Sequence, residues 1–130
     1  MTELTQEEAL RAYARMMNRL DANELLPLLA DDFHYASQWV FEEIESKADY
    51  ADYIVPKLRA VYDAGSEVWA EMGRIEGRWG PHCVIVAQDD QENLKAVVLA
   101  KVKDGKLQRL DMCFTPSPND AERTGDYPGM

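Results

Sequence analysis

Residues 94–114 read LKAVVLAKVKDGKLQRLDMCF. On either side of Lys103-Asp104-Gly105-Lys106 the pattern repeats with period two, the side-chain repeat of a β-strand. An Asp-Gly pair between two such runs is the strongest local hairpin signal, because a tight turn needs positive φ at its centre. The stretch therefore predicts strands from Leu94 to Val102 and from Leu107 to Phe114. Toward the N-terminus, Val68 to Arg78 and His82 to Gln88 show the same period, and the polar run 89–93 links the second of them to Leu94. Four strands in succession on short turns make an antiparallel meander.

Ahead of the meander the apolar spacing becomes helical. Thr5-Gln6-Glu7-Glu8 is a capping box, and behind it Ala9, Leu10, Tyr13, Met16, Met17 and Leu20 line one face of a helix over about residues 6–21. Asn23 caps a short second helix that carries Pro27 in its first turn. Two short strands, Phe33 to Ser37 and Val40 to Ile44, are expected around a tight connection at Gln38-Trp39. A third helix starts at Ser46 and runs to Gly65, with Pro56 expected to kink or split it. Helices followed by a meander describe an α+β fold, with helices packed on one face of a curved sheet.

Composition narrows what such a domain does. The chain has 130 residues with 14 basic and 24 acidic side chains, a formal charge of −10. With no run of lysine or arginine, nucleic acid and anionic membrane are disfavoured as partners. Two cysteines, Cys83 and Cys113, stand far apart and read as buried thiols of a reducing compartment. No basic and apolar leader opens the sequence, so a cytoplasmic protein is expected. Residues 1–116 are read as one domain and 117–130, rich in Pro, Gly, Asn and Asp, as a flexible C-terminal tail.

The element order, Tyr13, the phrase Leu28-Leu29-Ala30-Asp31-Asp32-Phe33, the helix after Ser46 and the closing strand 106–116 together resemble the nuclear transport factor 2-like superfamily. That group includes ketosteroid isomerases, SnoaL-type polyketide cyclases and limonene epoxide hydrolase. The resemblance implies a cystatin-like cone, its sheet wrapped on the N-terminal helices around an apolar pocket, and a homodimer formed through the convex sheet face. In the isomerases it implies a tyrosine on the first helix, an aspartate base on the first strand and a protonated acid in the oxyanion hole. Tyr13 falls at the first position, whereas Ser37 falls at the base and Leu99 at the acid. A serine hydroxyl without an activating partner abstracts no proton and a leucine donates nothing, so isomerase chemistry is disfavoured. Met112 falls where other members carry an acid on the closing strand. Leu110, Met112 and Phe114 are expected to face inward, with Arg109, Asp111 and Cys113 outward; a slip of one residue would reverse this.

The expected site is therefore an apolar pocket lined by Tyr13, Met17, Tyr35, Ser37, Met72, Leu99, Leu110, Met112 and Phe114, binding a small ligand without cofactor. Tyr13 reads equally as a pocket donor or a core aromatic. The alternative is an isomerase, cyclase or hydrolase that uses Tyr13 with His34, Glu71 or Asp111. His34 reads as structural, and Glu71 among apolar neighbours as either a perturbed acid or a dimer rim. Glu42, Glu43 and Glu45 read as a solvated face. Two isolated histidines and no Cys/His cluster predict no metal site. A third reading is an acidic module that recruits a basic partner protein.

Overall fold

The computed structural model describes residues 3–39, 42–77 and 79–130. Helix α1 spans Gln6–Arg19, opened by the capping box: Thr5 Oγ1 accepts from the Glu8 amide at 3.1 Å and Glu8 accepts from the Thr5 amide at 3.0 Å. Leu20, in the left-handed region at φ 54, ends it. The second helix is a single 3₁₀ turn at Leu26–Leu28. Helix α2, Lys47–Asp63, starts at Ser46, whose hydroxyl accepts from the Asp49 amide. Of the two expected effects of Pro56, a kink or a split, the split does not occur: the helix runs through it without dividing. Pro56 sits on the exposed side, where water serves the carbonyl that the missing N–H leaves.

Six strands form one sheet in the order β1-β5-β4-β3-β2-β6. They are β1 Leu29–Ser37, β2 Val68–Gly77, β3 Gly80–Gln88, β4 Leu94–Lys103, β5 Lys106–Cys113 and β6 Glu122–Asp126. The meander β2 to β5 is antiparallel as expected, and β1 joins its far edge by pairing parallel to β5. Of the expected strand Val40 to Ile44, Val40 and Phe41 lie outside the described residues, as does Arg78 at the end of β2. Ile44 pairs with Tyr35 as an isolated bridge.

The register assigns every side chain to a face. Met72, Val84, Val98 and Met112 are successive cross-strand neighbours, and they face the helices together with Ala70, Val86, Ala96, Ala100 and Leu110. Against this inner face α1 buries Leu10, Tyr13, Met16 and Met17, while α2 buries Tyr50, Ile54 and Leu58. Phe33, Tyr35 and Tyr50 close the core at β1, with ring centroids 5.0 and 5.3 Å apart. The outer face carries a second apolar cluster of Cys83, Ile85 and Val97, flanked by Ile75, Leu94, Leu99 and Ala121.

Residues 117–130 are not a loose tail. A 3₁₀ turn at Pro118–Asp120 lies on β4, and β6 pairs antiparallel with β2. Glu71, 3% exposed, pins this segment: it accepts from Arg123 Nε at 2.8 Å, from the Gly125 amide at 2.7 Å and from the Tyr127 hydroxyl at 3.4 Å. Asn18 of α1 holds the next stretch. Its amide nitrogen donates to the Ala70 carbonyl at 2.8 Å and the Pro128 carbonyl at 2.7 Å, and its oxygen accepts from the Ala70 amide at 2.7 Å. Arg11 meets Asp126 at 2.8 Å.

Arg123→Ala leaves a buried carboxylate short of its charged donor, so it should cost about 1–3 kcal/mol. Glu92→Ala removes only the exposed partner of the same guanidinium and should cost less than about 0.5 kcal/mol. Urea denaturation of the two variants checks the difference.

Candidate functional site

The expected pocket residues separate into two places. Tyr13, Met17, Tyr35, Met72 and Leu110 lie in the core between sheet and helices, none more than 8% exposed. Their phenols form a group with Tyr50 and Tyr53. Burial pushes Tyr13 and Tyr50 far above the ordinary range, reinforced by the neighbouring phenols. Tyr35 is raised for the same reasons, although its hydrogen bond with Ser37 works in the other direction. These phenols stay protonated at neutral pH, able to donate a hydrogen bond but not to act as a base. The Tyr35 hydroxyl donates to Met112 Sδ at 3.8 Å.

Of the remaining residues Leu99 stands on the outer face, Ser37 and Met112 keep the inward phase of Tyr35 and Leu110 at the strand ends, and Phe114 follows the end of β5. A cleft of about 510 Å³ runs along β5, floored by Leu99, Arg109, Asp111 and Cys113, with Ser37 and Met112 at one end and Glu76 and Trp79 at the other. Gln38 shapes its rim: its Oε1 accepts from the Phe114 and Thr115 amides at 2.8 and 2.9 Å and turns the chain after β5. Arg109 Nε contacts both oxygens of Asp111 at 3.1 Å, and its Nη2 reaches Glu43 Oε1 at 2.6 Å. Glu43 Oε2 in turn meets His34 Nδ1 at 2.8 Å. The hydrogen bond from His34, and after it the one from Arg109, holds the Glu43 carboxyl below its usual range.

Two expectations need correction. Leu99 stands on the outer face opposite Asp111, because its register partners alternate with the inward Val98 and Ala100. Phe114 follows the end of β5 and is 46% exposed, packed edge-on against Trp39 at 5.1 Å. Among the candidate acids and bases, His34 and Asp111 face outward with Arg109. Glu71 also faces outward but lies beneath the C-terminal segment, occupied as its pin. Tyr13 is on the other side of the sheet. Sequence reasoning passed over Glu43, Glu76, Trp79 and Gln38 as site residues; each comes to the cleft from a turn or strand end, where no period marks it.

His34, Glu43 and Glu45 bring three potential metal-ligand atoms within 4.8 Å of one another. Two of them already bond each other, and Arg109 takes the second oxygen of Glu43, so the group is an ion-pair network. Burial pushes the Cys83 thiol up to about 12, which leaves it unreactive at neutral pH.

No protein-family model matches the chain, and no curated protein matches it in sequence. Solved structures do match in shape. A nuclear transport factor 2-like protein of unknown function from Cytophaga hutchinsonii superposes with a TM-score of 0.60 at 14% identity, covering 88% of this chain and 96% of that one. A protein of Sinorhizobium meliloti provisionally assigned as a polyketide cyclase gives 0.59 at 14% identity, covering 82% and 94%. One of Kribbella flavida provisionally assigned as a ketosteroid isomerase gives 0.55 at 23% identity, covering 80% and 73%.

The buried phenols have a spectroscopic consequence. Their folded pKa values are raised, so the stability they contribute is intact below the ordinary tyrosine value of 10.0 and is lost as the pH climbs above it. In an absorbance titration of tyrosinate, Tyr13, Tyr35 and Tyr50, half of the six tyrosines, should ionise only together with loss of the folded circular-dichroism signal.

Proposed function

We propose, from the premise that the chain has the nuclear transport factor 2-like fold, that it is a small-molecule-binding domain whose ligand lies in the outer cleft along β5. One observation carries this reading. Leu99, one of the residues expected to touch ligand, meets the Arg109–Asp111 pair in a single cavity of about 510 Å³ whose end is formed by Ser37 and Met112. That volume suits a small organic molecule, and the lining mixes polar side chains, Gln38, Glu76, Arg109, Asp111 and Thr115, with the apolar Leu99 and Pro116. Leu99 and Pro116 contact the apolar body of the ligand, and Asp111 orients it. The buried inner residues serve as the rigid wall behind them. Two copies meeting through their outer faces would roof the cleft, and the buried thiols suit a reducing, cytoplasmic setting.

A second reading is a SnoaL-like isomerase, cyclase or hydrolase with Asp111 as the acid or base. It is favoured by the position of Asp111 on the cleft, its side chain 17% exposed, and by the provisional assignments of the similar structures. Tyr13 takes no part in it, because the sheet stands between that phenol and Asp111. Glu71 is excluded by its burial under β6.

Native mass spectrometry of the protein purified from a cell extract tests the proposal. The expected spectrum is a dimer carrying a discrete added mass, absent from Leu99→Trp, whose indole fills the cleft while the protein keeps its thermal midpoint. An added mass that persists undiminished in Leu99→Trp would place the ligand elsewhere and overturn the reading. For the catalytic alternative, Asp111→Asn should lower turnover of any substrate found by at least about 100-fold, the scale of a lost acid or base.

A further inference from the structure

We infer that the outward side of helix α2 is a contact between two copies of this chain, packed antiparallel. It stands apart from the binding reading, because α2 covers the inner face of the sheet and the cleft opens on the outer one. The two helices differ on the sides they turn away from the core. α1 turns out Arg11 and Arg15, each paired with a carboxylate of its own chain. α2 buries Tyr50, Ile54 and Leu58 on one side and carries Ala48, Val55 and Tyr62 on another, exposed and spaced by seven residues, hence in line along the helix. Val55 is 50% and Tyr62 74% exposed. One such side chain needs no explanation, but a line of them beside a groove of about 520 Å³, which runs from Val55 and Tyr62 to the turn Leu20–Asn23, is a seam open to a second helix.

The charges beside the seam select the helix that fits it. Asp52 and Arg59 are also seven residues apart, so both border the line on the same side, about 10 Å from one another and too far to bond. Both are exposed, and among the described residues neither side chain has a hydrogen-bond or ion-pair partner. A second α2 laid antiparallel, with the two-fold axis near Pro56, brings Asp52 of each copy to Arg59 of the other and Val55 to the axis. In such a contact every pairing occurs twice, so one acid and one base supply two ion pairs. A parallel arrangement would set aspartate on aspartate and arginine on arginine. The complement of this helix is therefore its own sequence reversed in direction. The formal charge of −10 opposes association at long range. Beyond about 8 Å such repulsion is screened at physiological ionic strength, which leaves the adjacent pairs to decide. With three apolar side chains from each copy the contact is small and belongs with weak associations, so it forms at higher concentration than a dimer that roofs the cleft.

Sedimentation equilibrium over a concentration series tests the contact. The wild-type chain should show a step that doubles its mass. Asp52→Arg and Arg59→Asp each place like charges in both pairings and should weaken that step at least about tenfold. Both substitutions are at exposed positions, so each variant should keep the wild-type thermal midpoint. An equimolar mixture of the two variants restores opposite charges to both pairings and should return the step to within about threefold of wild type. Net charge cannot draw the mixture together, because both variants remain strongly negative. A dimer formed through the outer faces survives in either variant, and the doubling is then from two copies to four. No doubling step in the wild type, variants that double as the wild type does, or a mixture that associates no better than its components each overturn the contact, and none of these outcomes bears on the ligand of the cleft.

Discussion

The central strands of this molecule must bury both of their faces. In β3 the run Cys83-Val84-Ile85-Val86-Ala87 is buried throughout, and in β4 Ala96, Val97 and Val98 are buried in succession. A sheet of this kind needs a cover on each side, and the chain supplies two of different make-up. On the inner side α1 and α2 contribute large apolar side chains. On the outer side the cover is the last part of the chain, thin and mostly polar, turning on Pro118 and then pairing through β6. That cover ends short of β5. The outer ends of β5 and β1 are left bare by this cover, and the cleft opens there.

Elements stabilised by contacts local in sequence were the legible ones. The capping box at Thr5 and Glu8, the positive φ of Asp104 and Gly105 in the last hairpin, and the inward phase of Leu110 and Met112 all follow from neighbours within a few residues. The parts that escaped depend on distant partners. β6 has no apolar period, because its contacts are a buried carboxylate 52 and 54 residues away and a carbonyl of β2 that receives the Thr124 hydroxyl. Its polar composition resembles that of a disordered tail for this reason. Leu99 failed for a different reason: period two allows either phase, and only pairing with Asp111 decides it.

The candidate site was half legible. Residue types were found where a resemblance pointed to them, but their grouping required the fold. Arg109 and Glu43 are 66 residues apart and meet across the β1 edge, where no local pattern connects them. The same fold also holds an inner face closed by tyrosines that stay protonated. A shape shared with proteins provisionally assigned to different reactions does not define this one; the polar groups that reach the cleft do.

The sheet order also affects how the chain comes to be folded. β1 is completed only by β5, and β2 receives its outer neighbour only from β6, so each edge waits for a segment far along the sequence. Asn18 on the first helix closes onto Pro128, 110 residues later. During synthesis the N-terminal helices and β1 emerge with no sheet to dock on, and the edge of β2 remains open until residues 122–126 have left the ribosome. Such non-local closure is slow, and it leaves the Val- and Ile-rich strands exposed to other chains in the interval. The polar, quickly hydrated composition of the final segment suits a piece that must stay in solution until the moment it docks.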